Sequence, residues 1–190
     1  MTRVNQQCDA IDFDAVERFA AALASTSWFA ATGEPLTGAE IAEAHDYLAG
    51  LGLPGVSVTS AGDWAAAKRI TRDPGWDTRW WQAEERRRTA LLEGFARAGK
   101  IDRIMAALTK VTDAATRIVL GAASVAAARQ GVADPALARA AAGAATQAAY
   151  QAALALAGGG QSDHPFAVKY RLFAAGRWPL GVVKTSFYLL

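Results

Sequence analysis

Two histidines, one cysteine and a knot of tryptophans and arginines are the residues of this chain whose types could do chemistry. His45 sits in "AEIAEAHDYLAG". Glu43 and Asp46 are close to it, but at neither the i,i+3 nor the i,i+4 spacing that would put them on its helix face. No Glu-x-x-His pair, no His-Glu-x-x-His and no second cysteine accompany it, so neither a di-metal carboxylate site nor a zinc site is indicated. We therefore expect no metal and no cofactor. His164 precedes Pro165 at a helix start, where a histidine packs or bonds locally more often than it catalyses. Cys8 lies in a polar terminal segment, and no signature assigns it a base. "GGGQSDHP", residues 158–165, is Gly-rich ahead of a helix but lacks the P-loop lysine and the dinucleotide glycine spacing, so it reads as a connection.

The most unusual composition is "WAAAKRITRDPGWDTRWWQAEERRR", residues 64–88, with Trp64, Trp76, Trp80 and Trp81 among seven bases and four acids. Arg and Trp are enriched at interface hot spots. Interleaved bases and aromatics also suit single-stranded nucleic acid or an anionic aromatic ligand, and Trp can simply fill a core. A second stretch, "YRLFAAGRWPLG", sets Arg171 and Arg177 about a helix end, where the helix dipole and free carbonyls explain a base without any partner. The candidate ligand- or partner-binding residues are thus Trp76, Arg79, Trp80, Trp81, His164, Arg177 and Trp178; no residue is assigned a catalytic role.

The elements that must position these residues are mostly helical. Of the 190 residues 52% are hydrophobic, many of them Ala, the strongest helix former. Asp12 or Asp14 caps a first helix whose Val16, Phe19, Ala20 and Leu23 share a face, and Thr37 with Glu40 forms a capping box for the next. Asp63 caps "WAAAKRI". A long helix then runs from Asp77 to Gly99, its middle "QAEERRR" polar on nearly every side and expected in solvent, with Glu84 and Arg88 as an i,i+4 pair. The next helix carries a seam of Ile101, Ile104, Leu108, Val111, Ala115, Ile118, Ala122 and Val125, with Arg103, Lys110 and Arg117 every seven residues beside it. Asp134-Pro135 opens an Ala-rich helix, and Ser162 or Asp163 caps a last one bearing Phe166, Tyr170 and Phe173.

The tail "GRWPLGVVKTSFYLL" breaks the helical pattern and is rich in strand formers, so it needs a strand partner. The other β-like stretch is residues 55–59. The expected fold is mainly α: a helical bundle with a small two-stranded β ribbon joining residues 55–59 to 182–188. Val183, Thr185, Phe187 and Leu189 should face the helices. Pairing of the tail with its own copy is the alternative.

Residues 1–63 hold two bases against nine acids, net −7, and the remaining residues net +9. An acidic helical segment, 1–63, thus precedes a basic bundle with its tail, 64–190. The acidic segment packing on the basic one within the chain is the simplest explanation. The start lacks a signal peptide's apolar region, and no long uncharged apolar run is present, so we expect a cytoplasmic protein with no membrane partner. The function expected is non-catalytic contact with a protein partner or with itself as a homodimer. A ligand binder or enzyme with a Trp- and Arg-lined pocket between helices is the alternative. Nucleic-acid binding through the basic face is a third reading, not favoured.

Overall fold

The computed structural model describes residues 12–190, so Cys8 lies outside them. Seven helices occur among these residues: α1 (Phe13–Ala22), α2 (Gly38–Gly50), α3 (Trp64–Ile70), α4 (Thr78–Arg97), α5 (Ile101–Arg129), α6 (Pro135–Ala157) and α7 (Pro165–Ala174). Three strands accompany them: β1 (Ser57–Ser60), β2 (Pro179–Val183) and β3 (Ser186–Leu189). The chain is mainly α with a small sheet.

The starts follow their caps. Asp12, Asp63, Asp77 and Asp134 each accept a backbone N–H of the first turn, and Thr37 and Glu40 close the capping box. At α7 the cap is His164, whose Nδ1 accepts from Phe166 N at 3.2 Å, rather than Ser162 or Asp163. Pro165 at the first helical position leaves His164 as the residue with extended backbone, and its ring nitrogen does what an Asp oxygen does elsewhere.

The antiparallel α5–α6 hairpin is the centre of the bundle. Small Ala side chains on both helices let the two axes approach closely, and α1 lies across the pair. The buried line along α5 runs Ile104, Leu108, Val111, Ala115, Val119, Ala123 and Ala126. It leaves the expected seam after Ala115: Ile118 and Ala122 are half-buried and Val125 is 52% exposed. The reason is geometric. Strict steps of three and four average 3.5 residues per turn, and a straight helix at 3.6 drifts about 20° per heptad away from them. After Ala115 the observed line takes two successive steps of four, to Val119 and Ala123, which follow that drift. By length and composition α5 is also long and apolar enough to cross a membrane, with 33% of its most apolar stretch buried inside the fold.

The sheet corrects the expected two-stranded ribbon. Residues 57–60 do pair with the tail, through β3 in parallel, with Ser57 opposite Ser186 and Ser60 opposite Leu189. The tail, however, folds back on itself as the hairpin β2–β3, giving the order β1-β3-β2. Lys184 stands at the hairpin turn with φ 56°, a left-handed conformation that a sequence pattern seldom assigns to lysine. The turn resets the side-chain alternation. Val182, Phe187 and Leu189 therefore share one core cluster with Tyr47, Leu48 and Val168, whereas Thr185 is exposed. The other face of the sheet sends Leu180, Tyr188 and Leu190 toward Trp64, Trp178 and Phe173.

The acidic segment packs on the basic one within the chain. Lys110 pairs with Glu17, Arg171 with Glu43 and Arg177 with Glu40. The drift along α5 makes a direct test. Ile104→Ala and Leu108→Ala should each cost about 2–5 kcal/mol in urea unfolding, whereas Val125→Ala should change stability by about 0.5 kcal/mol or less.

Candidate functional site

The structure divides the predicted site residues. Trp178 and Arg177 are interior, 3% and 2% exposed. Trp178 packs on Trp64 and Phe29, and its backbone bonds Leu190 in both directions. Arg177 is not the dipole-neutralising surface base expected. Its guanidinium reaches Glu40 (2.6 Å and 3.0 Å) and the carbonyls of Ala31, Glu34 and Pro35, tying the loop before α2 to the end of α7. Burial alone would raise the Glu40 carboxyl, but bonds from Arg177 and Thr37 outweigh it and hold the group below its ordinary range.

Trp76 and Trp80 come together, ring centroids 6.2 Å apart, over Gly181 of β2. A Cβ at Gly181 would sit 2.3 Å from the Trp76 ring, and its φ of +133° is one that side-chain-bearing residues avoid. Gly181 is thus where the indoles lie against the strand. Trp81, the next residue round the helix, is 59% exposed, and Arg79 lies in solvent against Asp77. His164 is half-buried, its pKa lowered by burial and by the nearby Arg87 charge. His45 is exposed.

The polar centre that sequence reasoning missed lies behind Trp80. Glu84, expected in solvent, is 4% exposed, and Ala83 beside it is 5% exposed. The Glu84 partner is Lys169 of α7, also 4% exposed, at 2.7 Å and 2.9 Å; Arg88 pairs instead with Glu85. Tyr47 of α2 donates its hydroxyl to Glu84 at 2.5 Å and accepts from the Trp80 indole N–H at 2.7 Å. Gln151 of α6 donates to Glu84 and accepts from Lys169, each at 3.2 Å. Lys169 also stands 5.4 Å from the Trp80 ring centroid. All three donors of the ammonium and both carboxylate oxygens are used. Burial, and then the Glu84 charge, raise the Tyr47 pKa well above its ordinary value, so the phenol stays a donor.

The signal for this cluster was in the sequence. Lys169 stands three residues after Phe166 and four before Phe173, on a face that is otherwise apolar. Gln151 interrupts a run of Ala in the same way.

Beside the cluster, α4 stands off from the α5–α6 hairpin. An open groove of about 400 Å³ between the three is lined by Glu85, Arg88, Thr112, Thr146, Gln147 and Tyr150. Arg103 lies over the Phe13 ring, Lys110 bonds Glu17, and Arg117 donates to the Asp113 carbonyl, so each base of the α5 stripe has a local partner. No group of three or more potential metal ligands gathers among the described residues. No family model, curated protein or solved structure matches the chain.

Two expectations follow. Lys169→Met strands a buried carboxylate and should cost about 3–5 kcal/mol, while Glu84→Leu combined with Lys169→Met should recover most of that loss, as read by denaturant unfolding. Asp134 caps α6 and bonds Lys68 at 2.7 Å; that bond and those from Leu137 and Ala136 lower its pKa from 3.8 to about 2. Its folded value lies below its unfolded one, so its contribution is present above pH 3.8 and is lost as pH falls toward about 2. Acid titration of Asp134→Asn should show a shallower loss of stability in that window than the native chain.

Proposed function

We propose that this is a non-catalytic helical protein that acts through contact with other protein chains, a second copy of itself among them. The observation that supports it most is Trp81. A tryptophan 59% exposed on a long helix is a costly surface residue unless something covers it, and Trp is the residue type most enriched among interface hot spots. Its presentation is rigid. Trp80 beside it is held by Tyr47, and Glu84 three residues on is locked to Lys169, so Trp81 cannot turn inward without dismantling that cluster.

Site-specific photo-crosslinking in cells that make the protein tests this reading. A photoreactive residue at position 81 should yield a discrete protein adduct, and one at exposed Ala106 should not. Equal or absent adducts at both positions would contradict it.

A second reading rests on the groove between α4, α5 and α6. Its volume falls in the range of about 300–1,000 Å³ typical of small-ligand sites, and six polar side chains converge on it. Its openness to solvent is unlike the closed, Trp-lined pocket that would favour a ligand binder most, so it ranks second.

A further inference from the structure

The two edges of the small sheet are treated differently. On the β2 side, Trp76 bridges to Val183, Asp77 N donates to Val182 O at 2.9 Å and Lys184 N donates to Gly75 O at 2.8 Å. That edge is covered by the chain itself. On the other side, among the described residues, β1 bonds only β3. Ser57 N donates to Thr185 O and Ala61 N to Leu189 O, which sets the parity of the parallel ladder. Ser57, Thr59 and Ala61 face β3, so the N–H and C=O groups of Val58 and Ser60 point away from it. No described residue takes them.

Open edges are normally guarded by short length, charge, proline or a covering loop, and β1 relies on its four-residue length alone. The segment Gly55-Val56-Ser57-Val58-Thr59-Ser60-Ala61 carries neither charge nor proline, and Ser57 and Ser60 are exposed.

We infer that this edge joins a second copy of the chain, β1 against β1 in antiparallel register about a two-fold axis at Thr59. The inference deepens the protein-contact reading and rests on it. The spacing of the outward groups makes the edge self-complementary, so a second copy fits it. An axis at Thr59 sets Val58 opposite Ser60 of the other copy and Ser60 opposite its Val58. Both are wide pairs that exchange an N–H and a C=O, so every outward group of the strand is satisfied by one operation. Thr59 meets its own copy at the narrow position, a favourable cross-strand pair, and no charge is buried. The sheets of the two copies then run on as one, in the order β2-β3-β1-β1-β3-β2.

The test uses the full chain and Ser60→Pro, which removes an outward N–H while leaving every β1–β3 bond. Ser60→Lys, which guards the edge with charge and keeps the backbone intact, is the second variant. Sedimentation velocity at up to about 100 µM should show the native chain dimerising, and both variants should weaken the dimer at least about 10-fold with unchanged circular dichroism. Val58 and Ser60 amides should exchange more slowly as native protein concentration rises. A native chain that stays monomeric at about 100 µM overturns the inference and leaves the Trp81 contact standing. A dimer equally tight in both variants, with those amides unprotected, overturns the edge assignment alone. Slow exchange at all concentrations, in a monomer, would mean that another part of the chain covers the edge, and also overturns it.

Discussion

A carboxylate and an ammonium taken out of water at the meeting point of four helices constrain everything around them. Each ion loses several kcal/mol of hydration, and only a complete set of partners offsets that loss. Glu84 and Lys169 have that set because Tyr47, Gln151 and Trp80 arrive from α2, α6 and α4. The arrangement dictates how α4 is rotated. With position 84 facing inward, Trp80, one turn earlier, follows it toward the sheet, while Trp81, 100° round from Trp80, is 59% exposed.

The second buried charge, Arg177, works on a different joint. It gathers Glu40 and three carbonyls of residues 31–35, so the chain leaving α7 is fixed to the loop that precedes α2. β1 then pairs with β3, again linking an early segment to a late one. Neither contact is local, and both meet at the sheet. The tail is held by residues from early in the chain, which is why it is buried as far as Leu190, 1% exposed.

Helix positions were legible because caps are local chemistry: Asp12, Thr37, Asp63, Asp77 and Asp134 each announce a start that depends on neighbours two or three residues away. The strand partner of the tail was legible by elimination, since residues 55–59 offered the other β-like pattern. The hairpin was not, because Lys184 adopts a turn conformation that is usually given to Gly or Asn. Glu84 was misread because "QAEERRR" looks solvated when α4 is considered alone; its burial depends on a lysine 85 residues away. Arg177 failed for the same reason, its carboxylate lying 137 residues earlier. Of the candidate site, Trp76, Trp80 and Trp81 were found by composition, but which of them faces water was decided by tertiary structure.

The Glu84–Lys169 cluster should make α2, α4, α7 and the sheet open as one unit with the α5–α6 hairpin. Native-state hydrogen exchange measures this directly. Amides of Gln151, Lys169, Phe187 and the middle of α4 should exchange only through global unfolding, with the same free energy as those around Leu108. Exchange of the α4 and β3 amides through a separate opening of clearly lower free energy, while α5 and α6 stay protected, would contradict it.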